Sequence, residues 1–345
     1  MVKTSLLERI GTGRTVEAYV VGAAFLEGGI LAAALGDGRI AFIGGESTDA
    51  SHFVSVHKGP CLSSSIDLDG KRVLTGGDDG RLVSTDADGE TFLIAENPGR
   101  WVEPIAVSMA SGLRAAAFGK TVRLFARDGS EVGTFDHPNT VGGLAFHPKG
   151  RRLAAAHYGG ASLWGAKAGS QKPKSLAWAG SHLSLTWSPD GKYIVTATQE
   201  NDLHGWRVSD GADMRMSGYP AKVRSMSWLP KGRHLATSGA EPVVCWPFHG
   251  KGGPMGKAPL DLGGGLGGLV TVVAAHPKHD VVAAGYQDGT TILVQIDRPH
   301  SVLVKRAGEG AVSALAWSAD GQHLALGTES GYVGRIGLSD WRAPT

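Results

Sequence analysis

The sequence lacks most features that mark enzymes, secreted proteins and membrane proteins. It has two cysteines, Cys61 and Cys245, far apart and outside any CxxC spacing. That removes a disulfide framework and leaves two small apolar residues suited to strand interiors. No stretch approaches the roughly 20 apolar residues of a membrane helix. The start, MVKTSLLERIGTGRTVEAYV, places Lys3, Glu8 and Arg9 where a leader would need an unbroken apolar core. A cytoplasmic protein is therefore expected. Charge of one sign is missing too: 34 Lys and Arg stand against 32 Asp and Glu, a formal net charge of +2. This is too small to draw nucleic acid or an anionic membrane through charge alone, and neither is expected as a partner. No long stretch shows helical periodicity, which argues against an α/β enzyme.

Chemical motifs are also missing. GKGGPMGK, Gly250 to Lys257, has Lys251 where a phosphate loop needs its first Gly and Ala258 where a hydroxyl would reach magnesium. The 13 histidines form no HxH or HExxH pattern, there is no carboxylate-rich calcium loop, and no GxSxG or Ser-His-Asp arrangement can be placed. The polar residues in the inner runs, Glu103, His182, Asp67 and Arg224, are scattered and assemble no catalytic centre. No cofactor, metal or catalytic residue is expected.

What is abundant is glycine, 52 residues, in a repeated unit. Leu183 to Gly211, LSLTWSPDGKYIVTATQENDLHGWRVSDG, is its fullest form: an apolar run, a Ser-Pro-Asp-Gly turn, a β-branched run, a polar break and a third run. Three strand-length runs separated by turn residues read as an antiparallel meander. Such a sheet has two bare faces and two edges, so it needs copies. Aligning the turn gives Gly29, Gly70, Gly112, Gly150, Gly191, Gly232, His279 and Gly321, with separations of 41, 42, 38, 41, 41, 47 and 42 residues. A period of about 40–45 residues with four strands per unit belongs to β-propeller blades.

The first runs, GGLAFHPKG, LSLTWSPDG, RSMSWLPKG, VVAAHPKHD and SALAWSADG, resemble the WD40-repeat family over nearly the whole chain. The closing Trp-Asp pair is absent, the nearest forms being LWG at Trp164, GWR at Trp206 and CWP at Trp246. The expectation is a single all-β domain over residues 1–345: eight blades of four antiparallel strands, with seven as the alternative. In this family the N-terminal strand supplies the missing outer strand of the last blade, and Lys3 to Arg9 is assigned to it. The long separation after Gly232 places a Gly-rich insertion at residues 250–268.

Blades packed face to face bury both faces of their inner strands, so alternation weakens into continuous apolar runs. Phe146, Trp187, Trp228 and Trp317, one place before the turn, read as inter-blade core, and Gly142, Gly143, Ala145 and Ser184 suit crowded inner strands. Asp37, Asp79 and Asp288 sit in DG turns where a carboxylate bonds nearby backbone. The resemblance implies that His57, Thr75 and Asp79 form one structural tie.

The family's partners dock on the narrower face, where the loops before first strands and between second and third strands gather. Those loops supply Arg100, Trp101, Tyr158, Tyr219, Arg224 and Tyr286, types that dominate interface energetics. The function expected is a non-enzymatic scaffold, monomeric within a larger complex, that binds one or more proteins or peptides there. The alternative is a small-molecule-binding or hydrolytic propeller that uses its central channel.

Overall fold

The computed structural model describes residues 4–44, 51–166, 172–250, 252–265 and 268–338. One short helix, Leu6–Ile10, and thirty strands make up the regular structure of these residues, in agreement with the all-β reading. The strands form seven sheets, six of four strands and one of six.

This corrects the expectation of eight separate four-stranded blades. The fourth and fifth repeats share the six-stranded sheet, because Arg152–Gly165 and Lys174–Trp187 each run on through a place where a break was expected. Tyr158 pairs with Ser181 and Gly160 with Ala177, so the ladder continues from one repeat to the next. Gly160 permits this with φ +130, and a Cβ there would lie 2.0 Å from the Leu176 carbonyl; only glycine fits.

Contacts divide the chain into two compact units. One comprises Met1–Leu35, Ile40–Val54 and Ser225–Thr345; the other comprises Gly36–Arg39 and Ser55–Arg224. In both, burial is greatest in the second strands. Tyr193–Thr198 and Val281–Tyr286 are buried at every residue, whereas the fourth strand Thr91–Glu96 buries only Ala95. A strand flanked by sheets on both faces selects Val, Ile and Ala throughout, and an outer strand keeps polar positions.

First strands of successive sheets are stitched through hydroxyls. Within the unit containing the termini, Thr271 Oγ1 donates to the Val312 carbonyl (2.6 Å), Ser313 Oγ to the Val20 carbonyl (2.7 Å) and Ser225 Oγ to the Val273 carbonyl (3.2 Å). In the other unit Ser63 Oγ donates to the Val102 carbonyl (3.2 Å). Where glycine stands instead there is no room for a side chain: a Cβ on Gly142 would lie 2.6 Å from the His182 carbonyl, and one on Gly143 2.8 Å from Ser184 Cα. The small residues read as suited to crowded strands are there because the backbones touch.

The N-terminal strand does complete the last sheet, but it is not Lys3 to Arg9. Residues 6–10 are helical, with Ser5 and Glu8 forming a capping box, and Lys3 lies outside the described residues. The pairing strand is Gly11–Thr15, which joins Tyr332–Gly337 in register from Gly11 opposite Ile336 to Thr15 opposite Tyr332. Deleting residues 1–15 should uncover the Tyr332–Gly337 edge, lower the melting temperature by several degrees and promote association. An unchanged melting curve and a monomeric elution profile would show that this pairing contributes nothing.

The stretch 250–268 holds a strand as well as a loop. Leu260–Leu262 is the outer strand against Val243–Cys245, the loop before it is tied by Lys257 Nζ to the Gly253 carbonyl (2.8 Å), and residues 251, 266 and 267 lie outside the described residues.

Candidate functional site

In an antiparallel pair the start of the first strand lies beside the end of the second. Val102 therefore faces Phe118, and Val141 faces His157. Gly119 follows Phe118 and accepts a hydrogen bond from Val141 N (3.0 Å), so these two neighbouring sheets present their loops at one common end. Trp101 precedes Val102 and Tyr158 follows His157, which puts both at that end. They are the two most exposed large apolar side chains described, at 68% and 60%. Arg100 beside Trp101 is exposed, and its N–H donates to the Asn97 carbonyl (3.1 Å), closing a tight turn just before Trp101. Arg224 is also exposed, the last residue of the same unit.

The other two expected contact residues are not surface groups. Tyr286 has no exposed surface. It ends the strand Val281–Tyr286 instead of standing in a loop, packs in the cluster with Val270, Val282 and Ile292, and donates its hydroxyl to the Gly263 carbonyl (2.9 Å). Burial pushes its phenol up to about 12. Tyr219 is 8% exposed and likewise offers no face.

Side-chain hydrogen bonds tie the strands together at this end. His57 Nδ1 lies 3.0 Å from Asp79 Oδ1 and its Nε2 2.9 Å from Thr75 Oγ1. Burial holds the imidazole below its ordinary value despite Asp79, so the neutral ring donates from Nδ1 and accepts the Thr75 hydroxyl at Nε2. Burial raises the Asp79 carboxyl, but hydrogen bonds from Lys58 N and His57 outweigh it, and it stays ionised. The tie implied for these three residues is present. Related ties were not read from the sequence: His182 Nδ1 to Thr196 Oγ1 (2.7 Å), His157 Nε2 to Ser162 Oγ (2.8 Å) and Trp164 Nε1 to His137 Nε2 (3.0 Å). Their signal was available, since a His next to a first strand or ending a second has a Ser, Thr or Trp at a strand-to-strand offset.

The opposite end of the sheets uses His and Trp together. His147 meets Trp187 edge-on at 4.9 Å, and His276 meets Trp317 at 4.7 Å. His276 Nδ1 accepts from Lys278 N and His279 N, leaving Nε2–H to donate to the Gly321 carbonyl (3.0 Å). Beside it lies a cavity of about 460 Å³ lined by Trp317, Lys278, His279, Gln295 and Gln322. Among the described residues no three His, Cys, Asp or Glu side chains come together to hold a metal, and no helix is long and apolar enough to cross a membrane.

No protein-family model matches the chain. It is 28% identical over 193 residues to WD repeat-containing protein 1-B of Xenopus laevis, covering 52% of this chain and 31% of that protein. It is 26% identical over 204 residues to the chromatin assembly factor 1 subunit FAS2 homolog of Oryza sativa subsp. japonica, covering 55% of this chain and 36% of that protein. The matches thus span about a third of these relatives' length. Among solved structures, the computationally designed Ika8 protein superposes with a TM-score of 0.75 at 15% identity, over 94% of this chain and 98% of that one, a likeness of fold alone. The tandem sheets, the His-Thr-Asp tie at the loop end and these WD-repeat relatives together make the chain a WD40-repeat β-propeller.

Proposed function

We propose that this protein is a non-enzymatic interaction module that docks a protein or peptide segment on the loop end carrying Arg100, Trp101 and Tyr158. The observation that carries this reading is the exposure of Trp101 and Tyr158, from adjacent sheets, at one end. Neither side chain is needed by the core, and large aromatics left in water at the end of a sheet are the groups that supply binding energy when a partner covers them. The relatives support the reading in a coarser form: one is named as a subunit of an assembly factor.

Binding of a cross-linked native partner by wild type, Trp101→Ala and Trp101→Ala/Tyr158→Ala is the direct test. The single change should weaken binding by about 2 kcal/mol and the pair by more, with melting moved by under about 0.5 kcal/mol equivalent. Full affinity in the double variant would remove this end as the docking surface.

A further inference from the structure

Every first strand except Met226–Trp228 slips register at the same place. The residue left over is Leu62, Glu103, Gly142 or Leu183 in the unit that ends at Arg224, and Val21, Thr271 or Ser313 in the other; at Glu103 the slip takes in Pro104 as well. The position is directed sideways. Thr271 and Ser313 donate their hydroxyls to the first carbonyl of the next first strand, and a Cβ on Gly142 would point at the matching carbonyl of His182. Glu103 is the acid in this row. An ionised carboxylate has no proton to donate, so it cannot make the bond that Thr271 and Ser313 make. Among the described residues its side chain has neither a hydrogen bond nor an ion pair.

Its surroundings are those of a site waiting for a charge. The residue is exposed, yet the protein around it takes away enough water to push its carboxyl above the usual 4.5, with no cation pulling it back. The elements packed on Val102–Ser108 offer Cys61, Arg72 and Arg114. Both arginines are already engaged, Arg114 with Asp67 (2.6 Å) and Arg72 with Asp86 (3.1 Å) and Glu90 (2.8 Å). Two residues before Glu103 stands the exposed Trp101, and Tyr158 stands on the next sheet at the same end.

We propose that Glu103 receives a cationic side chain, lysine or arginine, from the protein segment that lies across Trp101 and Tyr158. This rests on the docking end proposed above and names the chemistry it selects. A carboxylate beside aromatic faces suits a cation twice over, through the charge pair and through the ring quadrupole. An acidic segment would bring like charge onto Glu103 and be rejected. The Glu103–cation pair forms as the partner excludes water, which strengthens it over a pair on open surface.

The probes are blocked Gly-rich pentapeptides with a central Lys, Arg or Glu, titrated into the 15N-labelled full chain and read at the Trp101 indole N–H. Lys and Arg peptides should shift that resonance saturably and the Glu peptide should not. Glu103→Gln should weaken the response roughly tenfold without lowering the melting temperature, since glutamine can donate where glutamate could not. In wild type the binding should fall on acidification with a midpoint above the ordinary glutamate value, because only the ionised carboxylate pairs with the cation; that pH dependence should vanish in Glu103→Gln. Equal binding by Glu103→Gln, or preference for the Glu peptide, overturns the inference. If Trp101→Ala loses the native partner while Glu103→Gln keeps it at full affinity, the docking end stands and the cation reading falls.

Discussion

Arg114→Leu should destabilise the protein by about 3–5 kcal/mol, the cost of leaving one charge of a buried pair without its partner. Asp67 has no exposed surface and Arg114 is 5% exposed. The guanidinium grips both carboxylate oxygens, Nε to Oδ1 at 2.6 Å and Nη2 to Oδ2 at 2.9 Å, while Nη1 donates to the carbonyls of Ala126 (2.8 Å) and Arg127 (3.1 Å). Ser84 Oγ (2.5 Å) and Leu68 N (2.7 Å) complete the acceptor capacity of the carboxylate. The pair thus joins the turn of one sheet to the second strand of the next. Removing Arg114 strands a fully buried anion without its cation, whereas removing both charges does not, so Asp67→Asn/Arg114→Leu should recover much of the loss.

Acid should narrow the gap between wild type and Arg114→Leu. In wild type, burial raises the Asp67 carboxyl but its bonds from Arg114 and Ser84 outweigh that, so its folded pKa lies below the ordinary 3.8. A depressed carboxylate contributes stability above the unfolded value and loses it as pH falls through the folded one. In the variant the arginine is gone, burial dominates, and the penalty shrinks on protonation. Urea unfolding at pH about 7 and about 4 measures both signs. A gap that stays constant or widens on acidification would show that the pair is not what is lost.

The Asp67–Arg114 pair was invisible in the sequence because nothing local links residues 47 apart. The period was visible because every repeat but the seventh, which has His279, spends a Gly on the turn after an apolar run, and those glycines do adopt positive φ, as at Gly70, Gly112, Gly191 and Gly321. Sheet count was less legible: a period counts turns, and the ladder across Tyr158 and Ser181 joins two repeats without removing a turn. The closing strand GTGRT has no apolar signal of its own, so the Leu-rich segment before it drew the assignment. Yet Ser5 and Glu8 there spell a helix start, S-x-x-E. At the loop end, Trp101 is exposed where a loop was read, whereas Tyr158 is exposed although it lies within the strand Arg152–Gly165. Tyr286 misled because strand end and loop start are adjacent in sequence but opposite in burial.

Trp187→Ala should cost about 3–5 kcal/mol, and the cost should be one of folding, not of binding. Trp187 is 5% exposed and packs with Leu185, Ile194 and Trp206. Its Nε1–H donates to the Ala145 carbonyl (3.1 Å) on the first strand of the preceding repeat. Removing the indole opens a cavity between two repeats and leaves that carbonyl unpaired. Trp187→Phe keeps most of the volume and loses only the hydrogen bond, so it should cost about 1–2 kcal/mol. Trp317 makes the equivalent bond to the Ala274 carbonyl (3.0 Å) but is half-buried, and its loss should be smaller. Trp228 separates packing from hydrogen bonding. Among the described residues its buried Nε1 has no hydrogen-bond partner, and its ring meets Phe248 edge-on at 4.6 Å. Trp228→Phe therefore removes an unpaired donor along with some volume and should be nearly neutral, whereas Trp228→Ala loses the packing. Chemical denaturation of the five variants, with Trp101 indole titration as the binding control, gives the order Trp187→Ala, then Trp317→Ala, then Trp187→Phe, with Trp228→Phe least and Trp228→Ala above it. A Trp187→Ala protein that melts like wild type but no longer binds would move this tryptophan from the core to the docking surface.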